Sequence, residues 1–402
     1  MRIPLLPLAL TSLLACGGQP RSVERAPADT AAPTSSVADT GLRPMAPPRR
    51  APLPGMPPLL DSLNVYRGAG ADQFDSVARA ALPRVYVPLG GAASVTVIDP
   101  AAHKVLRTFG TATLPQHVVP SYDRRTLWVA NDLGNSLTPI DPFTGKEGKS
   151  IPVPDPYNLY FTPDGQYAIV VAERIQRLDF RDPHTMALHD AVPVTCPGVD
   201  HMDFTADGRF AVATCEFSGK LLLLDVATHH IERYLELKPP SMPQDIRLAP
   251  DGSVFFVADM KADGVWVIDP DSLTVKGFIP TGTGAHGIYP SRDGKLFYVS
   301  NRGWHTLKAG PHGPGSISVL NPFTRTVVAT WKIPGGGSPD MGNVSVDGKE
   351  LWLSGRYDQE VYVFDTETGQ LTYRIKVGRD PHGMTVWPQP GRYSLGHTGN
   401  MR

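Results

Sequence analysis

An aspartate at the head of a tight turn recurs six times in this chain, and its spacing limits the fold more than any other feature. The positions are Asp123, Asp164, Asp207, Asp251, Asp293 and Asp347, at steps of 41, 43, 44, 42 and 54 residues. Glycine follows all but the first. Ahead of each turn stand a Pro/polar cluster and a short apolar run; behind it come two more β-rich runs. A period of about 40–45 residues built from alternating short strands marks a propeller blade. The 39 glycines and 41 prolines suit a chain that turns every ten or so residues.

Each unit divides into three predicted strands. The A strands are His117–Val119, Asn158–Phe161, His201–Phe204, Asp245–Leu248, His286–Tyr289, Met341–Val344 and His382–Val386. The C strands end at Asp99, Asp141, Asp179, Asp225, Asp269, Asn321 and Asp365. The first C strand, Ser94–Asp99, has no A strand before it, and the last A strand has no C strand after it. Placing both in one blade closes a ring and removes two free edges. The fold expected is therefore an all-β, seven-bladed propeller closed by strands from both ends of the chain. Val85–Pro88 and Tyr393–Gly396 both resemble the missing B strand of that blade, and Val85–Pro88 is preferred.

The start of the chain reads differently. Arg2, the apolar run Ile3–Leu14 and Leu13-Leu14-Ala15-Cys16 form a signal-peptide pattern, too short to span a bilayer. Residues 1–15 are read as a lipoprotein signal and Cys16 as the lipidated residue. Residues 16–58, rich in Pro and Ala, read as an extended tether. Residues 59–83 form a short segment packing on the propeller, with Phe74–Ala81 able to form a helix, and 84–402 form the propeller. The expected location is extracytoplasmic, anchored to a membrane. Gly17 in place of Asp favours an outer membrane or cell surface, by resemblance to lipoprotein sorting rules. Cys196 and Cys215 flank one predicted hairpin; a disulfide is favoured there over a thiolate metal pair.

Leu127-Trp128-Val129-Ala130-Asn131 and Phe297-Tyr298-Val299-Ser300-Asn301 each precede a strand ending in Ile/Leu-Asp/Asn-Pro. They resemble the YVTN-type repeat of bacterial exported or surface seven-bladed propellers, from about Arg84 to the C-terminus. The resemblance implies the fold and an exported location. It implies no reaction, because the repeat encodes packing.

Antiparallel strands bring the starts of the A strands and the B–C turns to one end of a propeller. That rim is expected to gather His117, Asn158, Glu173, Arg174, His201, Glu216, Gln244, Asp259, His286, Asn301, Arg302, Asp340, Arg356, Tyr357 and His382. An insertion in the fifth blade, Arg302–Gly315, adds Trp304, His305 and His312. The leading expectation is a binding module for a small molecule, peptide or protein, with Arg174, Arg302 and Arg356 as carboxylate anchors. The alternative is a transition-metal or metallocofactor site on His117, His201, His286 and His382, since neutral imidazole suits Zn, Cu, Fe and Ni. His286 stands one position out of step with His201, which on a regular strand would turn it away.

A hydrolase or lactonase comes last. Glu173 with His201, or Glu216 with His286, would be its acid–base pairs, but the sequence holds no Gly-x-Ser-x-Gly, His-Glu-x-x-His or phosphate-cradling loop. A net charge of −1 gives no field for nucleic acid. No Cys-x-x-Cys-His haem attachment motif is present. The expected partners are a membrane, through the anchor, and an unidentified ligand at the channel mouth.

Overall fold

The computed structural model describes residues 50–307 and 313–402. The signal segment, Cys16, most of the tether and His312 lie outside the described residues. Seven four-stranded antiparallel sheets form the chain. Their innermost strands are Pro115–Pro120 in blade 1, Asn158–Phe161 in blade 2, Val199–Phe204 in blade 3 and Pro243–Leu248 in blade 4. Ala285–Pro290, Pro339–Val344 and Thr385–Trp387 follow in blades 5, 6 and 7.

Blade 7 closes as its unmatched strands require. Thr385–Trp387 pairs with Arg84–Leu89, Val386 opposite Val85, and Ser94–Asp99 and Lys104–Gly110 complete the sheet. The inner strand begins three residues later than expected: His382 precedes it, and Gly383 bridges to His117. Tyr393–Gly396 is no blade strand. It lies in the channel, where Gly396 bridges to Tyr160.

The recurring aspartates owe their conservation of spacing to a local hydrogen-bond device. Ser121 Oγ donates to Asp123 Oδ1 (2.6 Å), and the same oxygen accepts from the N–H of Arg125 (3.1 Å). Thr162–Asp164, Thr205–Asp207, Ser291–Asp293 and Ser345–Asp347 repeat the pair. The next residue must adopt positive φ, 70–79° at Gly165, Gly208, Gly252, Gly294 and Gly348, which favours glycine. Blade 2 corrects one expectation. Its C-strand turn is made by Asp182, which accepts the N–H groups of His184 and Thr185. Asp179 sits inside Arg177–Arg181, fully buried, where both flanking guanidiniums neutralise it.

Second strands such as Leu127–Asn131 and Phe297–Asn301 are buried along their whole length, because each sheet packs a neighbour on both faces. Phe256 of blade 4 meets Phe297 of blade 5 edge to face at 5.5 Å. Burying each such side chain stabilises by roughly 1.5–3 kcal/mol. Cys196 and Cys215 form a disulfide. Beneath the ring, Val65 and Tyr66 are buried, with Tyr66 Oη donating to the Leu248 carbonyl. The helix Ser76–Ala80 is capped by Asp75, which also pairs with Arg124. Residues 50–58, expected as tether, run along blade 3: Leu53 is buried, and its N–H donates to the backbone carbonyl of Asp207.

One irregularity positions the channel residues. Five inner strands shift register near their start, between Pro115 and His117, Val199 and Met202, Pro243 and Ile246, Ala285 and Ile288, and Pro339 and Gly342. A bulge resets side-chain alternation and re-aims the residues within it.

Candidate functional site

Five histidines meet in the channel. His117, His201, His286 and His382 come from inner strands or the residues before them, and His397 comes from the C-terminus. Ring centroids are 4.9 Å apart for His117–His382, 5.3 Å for His117–His397 and 4.7 Å for His201–His397. His286 joins them at 6.4 Å from His201 and 5.8 Å from His382. The expected outward turn of His286 does not occur: it stands where Asp200 stands in blade 3, and the register shift that both strands share brings this position to the channel as well as that of His201. Gly383 makes room: a Cβ there would meet His117 Cδ2 at 2.1 Å.

His117, His201 and His397 form a distinct set. One ring nitrogen from each lies within 4.8 Å of the others, and all three rings are fully buried. Among the described residues Nε2 of each has no hydrogen-bond partner, although Asp245 Oδ1 lies 3.8 Å from that of His397. His117 Nδ1 donates to the Tyr157 carbonyl at 2.9 Å, which fixes its tautomer and leaves Nε2 as a lone pair. Asn158 Nδ2 donates to both other rings, at 3.1 Å from His201 Nδ1 and 3.0 Å from His397 Nδ1, so these two imidazoles carry their proton on Nε2, which a metal there would displace. Asp200 Oδ1 lies 3.0 Å from His201 Nε2 but is not aligned with it, and both oxygens of this buried carboxyl lack a hydrogen bond. Burial pushes His117 down to about 4, and His201 and His397 well below the usual imidazole value. All three are neutral at neutral pH, the form a metal requires.

The other two histidines lie against Asp340, His382 hydrogen-bonded to it and His286 in ion-pair range without a hydrogen bond. His382 Nδ1 is 2.6 Å from Asp340 Oδ2, and His286 Nδ1 is 3.0 Å from Oδ1. Arg302 reaches Oδ1 through Nε at 2.8 Å and Nη2 at 2.6 Å, with both partners fully buried. Burial opposes ionisation of Asp340, yet Arg302, His286 and Arg356 hold its carboxyl below the ordinary range. Arg356 Nε pairs with Asp380 at 2.8 Å. Its Nη1 lies 2.9 Å from His382 Nδ1, but the shorter contact to the charged carboxylate sets that nitrogen as the proton donor.

A third group is acidic. Burial, followed by the neighbouring Glu216, raises Glu173 to about 9. Glu216 is raised by burial, although it accepts from Gln244 Nε2 at 2.9 Å. Asp132 rises to about 7, through burial and then Asp155 beside it. Arg174 Nε pairs with Asp155 at 2.7 Å. The hydroxyl of Tyr157 lies 3.5 Å from His382 Nε2, so this residue joins the two histidine groups.

The expected rim is thus assembled in part. His117, Asn158, His201, His286, Arg302, Asp340, Arg356 and His382 converge, with Glu173, Glu216 and Gln244 beside them. Asp259 is a turn residue, accepting N–H groups of Met242, Lys261 and Ala262 and the indole N–H of Trp266. Asn301 is likewise internal to blade 5, bound to Gly282, Ser316 and Ser318. Tyr357 Oη donates to the Thr306 carbonyl, and His305 pairs with Asp263 at 2.7 Å. The expected acid–base pairs are re-partnered: Glu173 has Glu216 beside it, and His286 has Asp340. His397 was absent from the expected ligands because it belongs to no repeat. Its signal was faint: a histidine bracketed by Gly396 and Gly399 in a short terminal stretch.

The chain belongs to the YNCE-like beta-propeller family, whose sequence profile matches residues 64–390. No curated protein matches it by sequence. Among solved structures it is similar to a functionally unknown protein from Desulfotomaculum acetoxidans, with a TM-score of 0.60, 15% identity, and 75% of this chain and 99% of that one covered. It is similar to dihydro-heme d1 dehydrogenase NirN in complex with DHE at a TM-score of 0.55 and 15% identity, over 75% of each chain. Apo AztD from Citrobacter koseri gives 0.52 and 14%, over 75% of this chain and 96% of that one. At such identities the likeness is one of fold.

Proposed function

We propose that this protein is a metal-binding propeller that holds a first-row transition ion on His117, His201 and His397. One observation carries the reading: three buried imidazoles bring ring nitrogens within 4.8 Å of one another, and among the described residues Nε2 of each takes no hydrogen bond. Three nitrogens at that spacing always share a point no more than about 2.8 Å from any of them, against about 2.0–2.1 Å for a Zn–N bond. Side-chain rotations of under an ångström close the shell. Each unmet buried group costs about 1–3 kcal/mol, which ligation offsets. Three protein nitrogens leave a fourth position for water or an exchangeable ligand, with the Asp200 carboxyl beside it, as in an open rather than a closed zinc site.

The arginine-anchored ligand site is the weaker reading, since Arg302 and Arg356 already neutralise Asp340 and Asp380. A tetrapyrrole, suggested by the NirN complex, is disfavoured by residues 391–402, which are largely buried in the channel. Export and a lipid anchor at Cys16 belong to the same proposal. Their support is the Leu13-Leu14-Ala15-Cys16 pattern and the disulfide, a bond typical of oxidising compartments. The YVTN-type repeat motifs favour the same location.

Protein prepared without a polyhistidine tag, incubated with Zn2+ and desalted, is expected to retain close to one ion per chain by elemental analysis. His117→Ala should retain far less. Retention well below one equivalent in the wild type would leave water as the occupant and overturn the reading.

A further inference from the structure

Residues 391–402 form a small hairpin inside the channel. The N–H of Leu395 donates to the Asn400 carbonyl at 2.8 Å, and the N–H of Arg402 to that of Tyr393 at 3.1 Å. Gly396–Gly399 make the tip, which carries His397. Gly396 is required there: its φ is 97°, and a Cβ would come within 2.4 Å of the Leu159 carbonyl oxygen. One edge of the hairpin extends blade 2, through Phe161 N–H to the Leu395 carbonyl (3.0 Å) and His397 N–H to the Leu159 carbonyl (2.8 Å). Ser394 Oγ donates to the Pro120 carbonyl in blade 1, and Thr398 Oγ1 to that of Gly342 in blade 6. At the open end Asn400 and Arg402 both bond Asp203 of blade 3, and the Arg402 guanidinium lies 4.4 Å over the Tyr66 ring.

These contacts hold the shaft and base of the hairpin but not the coordinating atom at its tip. His397 Nε2 takes no hydrogen bond among the described residues, with Asp245 Oδ1 3.8 Å away, and its ring is fixed on one side by Asn158. Two of the three candidate donors belong to the rigid ring, and the third belongs to a segment with no blade of its own.

We infer that the C-terminal hairpin is a metal-locked plug: an ion on His117 and His201 completes its shell only with His397 and thereby clamps residues 391–402 into the channel. This rests on the metal reading above and adds a regulation to it. A ligand that binds only the docked state multiplies the docked-to-undocked ratio by about [L]/Kd, so Zn2+ at a hundredfold excess over Kd shifts it about a hundredfold. Release of the ion then requires the tip to withdraw. Loading orders the tail, and stripping frees it.

The test is amide hydrogen exchange of peptides covering 391–402 in the full chain, Zn2+-loaded and chelator-stripped. Exchange should slow at least tenfold on loading, and Zn2+ should have no such effect in His117→Gln, whose hairpin sequence is intact. His397→Gln should weaken Zn2+ binding at least tenfold without unfolding the ring. One bound Zn2+ with unchanged exchange in 391–402, or unchanged affinity in His397→Gln, overturns the plug while the metal site stands. Failure of the wild type to bind Zn2+ overturns both.

Discussion

Five histidines occupy one channel, yet they divide into two groups with opposite chemistry. His286 and His382 share Asp340, whose charge is matched by Arg302 and Arg356: His382 Nδ1 is hydrogen-bonded to it, and His286 Nδ1 lies 3.0 Å from it outside hydrogen-bond geometry. His117, His201 and His397 are hydrogen-bonded through Nδ1 to the neutral groups of Tyr157, Asn158 and Tyr160, and among the described residues their Nε2 atoms take no hydrogen bond. The residue type and approximate position around the ring are the same. What differs is how the nearby carboxylate is used: Asp340 accepts from His382 and is held by two arginines, whereas Asp200 and Asp245 stand 3.0 and 3.8 Å from His201 and His397 with no hydrogen bond to either ring. A histidine in a propeller hub is therefore a poor indicator of a ligand until its second nitrogen has been accounted for.

The sharpest way to break that contrast is to remove its carboxylate. Asp340→Ala leaves the fully buried Arg302 without its partner and should cost about 3–5 kcal/mol of stability, read from urea or thermal unfolding. A loss under about 1 kcal/mol would mean that the ion cluster is not what holds that half of the channel. A paired comparison comes next. His201→Ala should weaken Zn2+ binding on the order of 100-fold, whereas His286→Gln should stay within roughly tenfold, the scale of an outer-shell change. Equal losses in titration calorimetry would show that the two groups act as one site.

The smallest effect concerns the acidic side. Glu173 and Asp132 have folded values of about 9 and about 7, raised from 4.5 and 3.8, so the folded state binds their protons more tightly than the unfolded chain does. Their contribution is complete below about pH 4 and is lost progressively from there until pH has passed about 7 to 9. Stability should fall across that range. Glu173→Gln should flatten the decline and be more stable than wild type at pH 9 by about 1–3 kcal/mol. Parallel pH profiles would show that Glu173 is ionised in the native protein.

Much of the ring was legible because its signals are local. The Ser/Thr-x-Asp-Gly turn is closed by hydrogen bonds within five residues, so its spacing reports the blade directly. Strand bookkeeping then forces the closure of blade 7, since an inner strand at one end of the chain and outer strands at the other have no other partners. The error at Asp179 is equally instructive. Leu178-Asp179 imitates the end of a C strand, and only the arginines at 177 and 181 betray a buried carboxylate within the strand.

The chain on its own settled the number of blades, the way the ring shuts and the approximate set of polar residues gathered at one rim, because each follows from period, alternation and pairing. It left open which of those side chains are spent on one another. That depended on bulges that rotate His286 and Asp200 inward, on counter-ions arriving from blades 38–42 residues away in sequence, and on a terminal hairpin that adds His397 from outside the repeat. Electrostatic partnership and donor geometry are properties of distances between remote residues, and only the folded ring sets those distances.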